Sequence, residues 1–197
     1  GVDLVIALDI SASMNAEDIK PSRLEKAKHE ISTLLDQLGG DRVALVIFAG
    51  QAFVECPMTS DYSAVKMFLD AIESNATTAA GTNFEDALEV AASAFVRDDK
   101  NEADNSTGKA LILFSDGEDH NPDSKNLIKS LAHKNIKIYS VGVGTPIAVP
   151  IPIRDASGAV SFKKSAGSIV TTKLEDNFLN ELAVETGGLP GGGIPGI

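Results

Sequence analysis

The chain has little cysteine and little positive charge, and each shortage excludes a class of protein. Its single cysteine, Cys56, cannot form an intrachain disulfide, so the fold must depend on its hydrophobic core. The sequence has 17 Lys and Arg residues against 28 Asp and Glu, a formal net charge of -11. Because phosphate contacts require clustered basic side chains, we expect no nucleic acid among the partners.

Membrane-spanning runs and nucleotide-binding motifs are also missing. The longest uncharged stretch, residues 138–153, contains prolines and glycines that would break a membrane helix. Gly142-Val143-Gly144 lacks the third glycine of a dinucleotide-binding loop, and no Gly-Lys-Ser/Thr phosphate loop occurs. Cys56, in the segment Val54-Glu55-Cys56-Pro57, is interpreted as a small buried hydrophobe rather than a nucleophile.

What is present is the pattern of one α/β domain. Apolar, β-branched runs alternate with stretches of helical period, which predicts a doubly wound, mainly parallel central sheet with helices on both faces. Near-continuous hydrophobicity in the strands indicates that both faces of the sheet are buried. The predicted strands are residues 2–8, 42–48, 110–114, 136–143 and, more weakly, 168–172, with a short antiparallel edge strand at 51–54.

Five helices are predicted from apolar stripes and capping signals. Ser22-Arg23-Leu24-Glu25 is a capping-box pattern that begins the first helix, and Gly39-Gly40 ends it. The fourth helix is predicted to begin at Pro122-Asp123, and the last to end at Thr186-Gly187-Gly188. The second and third helices carry the stripes Val65, Phe68, Leu69, Ile72 and Phe84, Leu88, Ala91, Phe95, which are interpreted as core.

The domain is predicted to span residues 1–188, with a hairpin-like insertion at 145–167. Asp155-Ala156-Ser157-Gly158 is a turn signal between two extended pieces of that insertion. Residues 189–197 are rich in Gly and Pro, and we expect them to be a tail or linker without regular structure.

Oxygen-bearing side chains follow the ends of predicted strands. Asp9, Ser11 and Ser13 come at the end of the first strand, Asp116 follows strand 110–114, and Thr82 precedes the third helix. In open parallel sheets, sites form outside the carboxyl ends of the strands, and a hard divalent cation such as Mg²⁺ prefers oxygen ligands. Each residue alone also fits a turn or a helix cap, and Thr82-Asn83-Phe84-Glu85 is itself a capping-box pattern.

Together these residues resemble the metal-ion-dependent adhesion site (MIDAS) of von Willebrand factor type A (vWA) domains, and the resemblance covers nearly the whole chain. Within that family the chain resembles the bacterial Bat (aerotolerance-associated) group, in particular its BatB members. The motifs that carry the narrower resemblance are Pro21-Ser22-Arg23-Leu24-Glu25, Gly40-Asp41-Arg42-Val43, Phe48-Ala49-Gly50, Thr59-Ser60-Asp61-Tyr62, Asp116-Gly117-Glu118-Asp119-His120 and Gly142-Val143-Gly144-Thr145-Pro146.

The resemblance implies a metal-dependent protein-protein interaction domain and not an enzyme. Ser11, Ser13 and Thr82 would bind the ion through their hydroxyls, and Asp9 and Asp116 mostly through bound water. The ion would be Mg²⁺, with Mn²⁺ or Ca²⁺ as alternatives, and an Asp or Glu carboxylate of a protein partner would complete its coordination. Because the direct ligands are neutral, the cation would attract that carboxylate despite the negative charge of the protein.

The resemblance also bears on location. In the Bat group the domain is typically flanked by membrane helices, so we expect the full-length protein to be membrane-anchored. This chain would then be its excised soluble part, lying on the periplasmic side.

Two other functions remain open from the sequence. The domain could be a vWA scaffold whose metal site is silent and whose partner binds elsewhere. Asp9 could also be the nucleophile of an aspartyl phosphotransferase, although such enzymes need a second carboxylate two residues on, where this chain has Ser11. Glu118, Asp119 and His120 beside the site could shape the partner surface or form only a solvated acidic loop.

Overall fold

The computed structural model describes residues 1–73, 80–95, 108–118 and 125–191, without the side chains of residues 125–127. Its helices are α1 (Arg23–Gln37), α2 (Tyr62–Ala71), α3 (Phe84–Ala94), α4 (Lys125–His133) and α5 (Asp176–Glu185), with a 3₁₀ turn at Ala12–Asn15. The strands are β1 (Val2–Asp9), β2 (Arg42–Phe48), β3 (Ala52–Thr59), β4 (Gly108–Ser115), β5 (Ile136–Gly142), β6 (Val149–Pro150), β7 (Pro152–Arg154), β8 (Val160–Phe162), β9 (Lys164–Ser165), β10 (Ser168–Ile169), β11 (Thr171–Thr172) and β12 (Pro190–Gly191).

Six strands form the central sheet in the order β12-β5-β4-β1-β2-β3. All neighbours are parallel except β3, which runs antiparallel to β2. The predicted doubly wound α/β class is therefore confirmed. The edge strand β3 is longer than the predicted 51–54, and irregular register with β2 between Val43 and Val46 accompanies its extra length.

Helices cover both faces of the sheet, as the continuous apolar strands predicted. Along β1, Leu4, Ile6 and Leu8 pack into the core under α1 and α2, while Val5 and Ala7 pack into the core under α3, α4 and α5. This alternation follows from the strand geometry, which directs successive side chains to opposite faces. Cys56 belongs to the first of these cores and is buried, as predicted.

The signals for the start of α1 and the end of α5 were correct. The Ser22 hydroxyl accepts a hydrogen bond from the Glu25 amide at 3.2 Å and caps α1. Gly187, with φ of +72°, follows the end of α5 in the left-handed conformation expected there. The predicted start of the fourth helix at Pro122-Asp123 lies outside the described residues.

The predicted strand at 168–172 is wrong as a member of the central sheet. Ala166 and Gly167 both have positive φ, of +48° and +82°, and turn the chain so that β10 pairs with β9. β11 pairs instead with β6. The predicted strand is therefore divided between two separate two-stranded pairings outside the central sheet.

The expectation of no regular structure after residue 188 is wrong for Pro190 and Gly191. These residues form β12, which pairs in parallel with Ser140 and Val141 of β5. A proline is tolerated there because β12 is an edge strand. Residues 192–197 lie outside the part of the chain that the structure describes.

The segment between β5 and α5 contains the predicted hairpin: β7 and β8 pair antiparallel. The Asp155 carboxylate accepts hydrogen bonds from the amides of Ser157 and Ala159 at 2.8 and 3.0 Å and closes the turn. The small paired strands extend beyond the predicted 145–167 to Thr172, so from here on the insertion means residues 145–172. Across the described ranges, no helix is long and apolar enough to span a membrane.

Candidate metal centre

Three loops meet at the carboxyl edge of the sheet. Leu8 of β1 lies beside Phe114 of β4 in the parallel register, so the next residues, Asp9 and Ser115, are neighbours. The loop at residues 80–83 is held to the same edge, because the Asn83 amide donates a hydrogen bond to the carbonyl of Ala49 at 2.8 Å. The topology thus brings together loops that are more than 30 residues apart in the sequence.

Asp9 is fully buried and fixed at both carboxylate oxygens. Oδ1 accepts a hydrogen bond from the Ser11 amide at 2.8 Å, and Oδ2 accepts one from the Ser115 hydroxyl at 2.6 Å. Sequence reasoning did not assign a role to Ser115. Its position at the end of the neighbouring strand was the signal that could have identified it.

The Ser11 and Ser13 side chains present their hydroxyls together. Their Oγ atoms lie 3.0 Å apart, and both residues line a cavity of about 820 Å³ that Thr82 also lines. Adjacent ligands of an octahedral Mg²⁺ with bonds of about 2.1 Å are separated by about 3 Å. The spacing of the two serine oxygens therefore fits a pair of adjacent ligands to a small hard cation.

Thr82 is not a helix cap, and the capping interpretation is wrong at this residue. The cap of α3 is Asn83, whose side chain accepts a hydrogen bond from the Asp86 amide at 3.1 Å. The Thr82 side chain faces the cavity instead. Ser11 precedes the 3₁₀ turn at the N-cap position, but its hydroxyl makes no capping hydrogen bond.

Asp116 lies behind the cavity and is fully buried. Its Oδ2 accepts a hydrogen bond from Nη1 of Arg23 at 2.9 Å, and its Oδ1 accepts one from the Glu118 amide at 3.2 Å. Its carbonyl accepts a hydrogen bond from the Glu175 amide at 2.8 Å, which attaches this loop to the start of α5. Both carboxylates therefore stand one layer behind the hydroxyls.

Gly117 allows the Asp116 loop to pack this closely. Its φ is +76°, a left-handed conformation that favours glycine, and a Cβ there would overlap the carbonyl oxygen of Glu175. The next residue, Glu118, also lines the cavity. Asp119 and His120, the other members of the predicted acidic loop, lie outside the described residues.

Burial dominates the electrostatics of the two carboxyls. Burial and the nearby charge of Asp116 raise the pKa of Asp9 to about 7, although hydrogen bonds from Ser115 and Ser11 lower it. Burial also raises the pKa of Asp116, against the lowering effects of Ser13 and Arg23. Both buried carboxyls therefore resist ionisation when no metal ion is bound. A divalent cation beside them would relieve the repulsion between their negative charges.

Arg23 is a residue beside the candidate site that sequence reasoning missed. It is fully buried and binds the Asp18 carboxylate through Nε and Nη2 at 2.8 and 2.9 Å. Its Nη1 reaches Asp116 and also donates to the Thr172 hydroxyl at 2.9 Å. An arginine at the first position of a helix is ordinarily solvated, so nothing local in the sequence indicated this burial.

The chemistry of this donor set differs from that of a carboxylate or histidine cluster. Among the residues that the structure describes, no group of three or more His, Cys, Asp or Glu side chains could hold a metal ion. The edge instead combines three hydroxyls with two carboxylates, all oxygen donors. This set fits Mg²⁺ better than a metal that prefers nitrogen or sulfur.

Two solved bacterial proteins are similar to this chain over almost its whole length. BatB from Bacteroides thetaiotaomicron is 38% identical, with a TM-score of 0.88, over 96% of this chain and 89% of that one. An aerotolerance-related membrane protein from Bacteroides fragilis is 38% identical, with a TM-score of 0.87, over 96% and 90%. Both alignments are long enough to include the insertion as well as the metal-site loops.

Curated relatives are longer than this chain. A UPF0353 protein from Nocardia farcinica is 29% identical over 94% of this chain but only 56% of its own length. The chain spans about half the length of the curated relatives it matches. The model of the von Willebrand factor type A domain matches residues 4–118, which contain all three loops of the site. The chain therefore belongs to the von Willebrand factor type A domain family.

Proposed function

We propose that this domain binds a divalent cation at its carboxyl edge and uses it to bind an acidic residue of a partner protein. Domains of this family generally mediate protein-protein interactions and commonly hold a divalent metal at a MIDAS. Ser11, Ser13 and Thr82 would be direct ligands, and Asp9 and Asp116 would act through water. The observation that carries the proposal is the layering of three cavity-lining hydroxyls over two buried carboxyls.

The ion supplies a positive charge at which an anionic side chain can bind. The direct ligands are neutral, so the charge of the cation is offset only by carboxylates one layer away. An Asp or Glu of the partner is then the strongest available ligand for an open coordination position. We propose Mg²⁺, with Mn²⁺ or Ca²⁺ as alternatives; zinc occupies the MIDAS of mussel byssus PTMP1, a protein with the same fold.

Calorimetric titration with Mg²⁺, Mn²⁺ and Ca²⁺ tests the metal site. Asp9→Asn keeps the size of the side chain but removes its charge, and we expect it to abolish the binding heat. Asp3→Asn is the matched control, because Asp3 is a buried aspartate of the same strand that binds Arg42 at the opposite end. Equal heats from wild type and Asp9→Asn would refute the proposal.

A vWA scaffold with a silent metal site is the second candidate, favoured by one observation. Arg23 already supplies a cation to Asp116. If the Arg23–Asp116 ion pair already balances the negative charge at this edge, the metal site is silent. The partner then binds elsewhere, and chelation does not affect partner binding. Partner capture from membrane extracts with and without chelator distinguishes the two: loss on chelation supports the metal-dependent function, and equal retention supports the scaffold.

The geometry argues against a phosphotransferase. Both carboxylate oxygens of Asp9 already accept hydrogen bonds, and the residue has no exposed surface. A nucleophilic carboxylate must instead reach a phosphorus atom. We therefore propose that the domain is not an enzyme.

Relatives named as membrane proteins support a membrane-associated full-length protein. We propose that this domain lies on the periplasmic side. Protease treatment of intact spheroplasts tests this: the domain should be digested without lysis, whereas protection until lysis would place it on the other side.

A further inference from the structure

The cavity at the metal site has a second wall that belongs to the insertion. Besides the loops of the metal site, the cavity is lined by Ile151, Pro152, Ile153, Arg154, Lys163 and Val170. None of these residues was assigned a role from the sequence. The cavity is about 820 Å³, within the range of about 300–1,000 Å³ that ligand clefts occupy.

The insertion is held against the domain at several points. Thr172, near its end, is bound by the buried Arg23, and the amide of Leu174 donates to the carbonyl of Thr145 at 2.8 Å, closing the base of the insertion. Arg154 forms an ion pair with Glu17 at 2.6 Å. The second wall is therefore formed before any partner binds, and ordering it adds no entropic cost to binding.

The apolar part of this wall is accessible. Ile153 is 48% exposed, although Ile151 beside it is 4% exposed and anchored in the domain. Pro152 and Val170 extend the apolar lining. An apolar side chain of a partner would bury surface here.

Most charged side chains of the lining have an ion-pair or hydrogen-bond partner elsewhere in the chain. Glu17 binds Lys20 and Arg154, and Glu25 binds Lys28. Glu118 accepts a hydrogen bond from the Lys173 amide at 3.1 Å.

Lys163 is the exception among these groups. Within the described ranges, its side chain has no ion pair or hydrogen bond, and only its amide is engaged, with the carbonyl of Ile151. Lys163 is a partly buried residue that lines the cavity, and its positive charge, in a protein with a net charge of -11, is complementary to an anionic partner group.

We propose that the cavity binds an extended segment of a partner protein that carries two acidic residues separated by apolar ones. The first carboxylate reaches the metal site, the apolar residues contact Ile153, and the second carboxylate pairs with Lys163. The contact at the metal site rests on the proposed function, whereas the contact with Lys163 depends on the insertion alone. The insertion thus selects among the many acidic segments that a metal ion by itself would accept.

Selection from a random heptapeptide display library, in Mg²⁺ and in chelator, tests this directly. The targets are the wild-type chain, Lys163→Glu and Lys164→Glu. Lys164 is the matched control, since it is adjacent and exposed but does not line the cavity. We expect wild type and Lys164→Glu to enrich the same peptides, with two acidic residues flanking apolar ones.

Lys163→Glu should still bind Mg²⁺ and should still require the first acidic residue of the peptide. It should no longer select for the second acidic residue. Its affinity for a wild-type-selected peptide should fall by roughly tenfold or more, and replacing the second acidic residue of the peptide by Lys should restore it. Mg²⁺ titration of this variant confirms that it is folded.

The failures are distinguishable. Peptides that need Mg²⁺ but bind wild type and Lys163→Glu equally would overturn the docking inference and leave the proposed function standing. Peptides that bind equally in chelator would overturn the proposed function. Enrichment of no peptide, together with a dimer in sedimentation that Lys163→Glu dissociates, would identify a second copy of this chain as the occupant and refute the inference.

Discussion

At the scale of single residues, the chemistry at the carboxyl edge of the sheet depends on which oxygens carry charge. The site residues that line the cavity, Ser11, Ser13 and Thr82, carry neutral hydroxyls, whereas the carboxyls of Asp9 and Asp116 are withdrawn from solvent. Burial raises the pKa of both groups, because a buried carboxylate loses its hydration. The charge of Asp116 further raises the pKa of Asp9, and the charge of Glu118 further raises that of Asp116. Ionisation of these two carboxyls is therefore unfavourable in the metal-free protein, and its free energy of unfolding should depend on pH.

The raised pKa of Asp9 predicts a pH dependence with a definite sign. In the metal-free protein this pKa is about 7, above the ordinary value of 3.8, so the native state keeps a proton that the unfolded state has lost between these values. The contribution of Asp9 to the free energy of unfolding should therefore fall as pH rises from about 4 to 7. Urea denaturation in chelator measures it as the difference between wild type and Asp9→Asn, and a difference that is the same at pH 5 and pH 8 would contradict it.

Arg23 predicts a large loss of stability. Arg23→Met would leave Asp18 and Asp116 as buried carboxyls without their cation, and removal of one partner from a buried pair costs about 3–5 kcal/mol in unfolding free energy. Arg154→Met is the control, because the Arg154 side chain is 59% exposed in its pair with Glu17 and such pairs contribute about 1 kcal/mol or less. Comparable losses measured by urea denaturation would show that Arg23 does not anchor the site.

At the scale of elements, loops of similar composition have different requirements. Asp116-Gly117 and Ser157-Gly158 are both turn sequences, and both glycines have positive φ, +76° and +83°. A Cβ at Gly117 would overlap the Glu175 carbonyl at the start of α5, whereas at Gly158 it would meet nothing within 4 Å. One turn is therefore constrained by packing and the other by its backbone conformation alone.

This difference predicts unequal effects of the same substitution. Gly158→Ala should lower the unfolding free energy by about 1–2 kcal/mol, the cost of a left-handed alanine. Gly117→Ala should cost more, because α5 or the Asp116 loop must also move, and it should weaken Mg²⁺ binding. Urea denaturation and calorimetry of both variants test this, and equal stabilities with unchanged Mg²⁺ affinity would contradict it.

At the scale of the whole molecule, the residues that stabilise the fold and the residues of the candidate site occupy different parts of the sheet. Its inner strands are buried on both faces between two helical layers, and the candidate site residues lie at the carboxyl edge of the sheet. A cation that binds the native state alone must then add to the stability that the core provides. Loss of a direct ligand should remove this increment without changing the metal-free protein.

Thermal or urea unfolding with increasing Mg²⁺ measures that increment. A wild-type chain at a free Mg²⁺ concentration of one hundred times its Kd should gain about 2.7 kcal/mol. Thr82→Ala should gain none, yet match wild type in chelator, since Asn83 and not Thr82 caps α3. An equal gain in both proteins would mean that Mg²⁺ acts away from this edge.

Short-range patterns in the sequence determined the class of fold and the choice of site residues. Apolar periodicity placed four of the central strands within two residues of their observed ends, because burial on both faces leaves little alternative for such runs. Oxygen-bearing side chains at two strand ends and before the third helix selected the same five residues that the structure gathers at one edge. Their roles toward a metal stay predictions.

Only the tertiary structure decided which groups are buried and which pairs form across the chain. It assigned the α3 cap to Asn83, divided residues 168–172 between two pairings, and added Pro190 and Gly191 to the sheet. It also buried Arg23 against Asp116, 93 residues away, and placed Lys163 on the cavity wall. These outcomes depend on contacts between distant segments, whose energies no local pattern encodes, whereas periodicity and capping are local and can be read residue by residue.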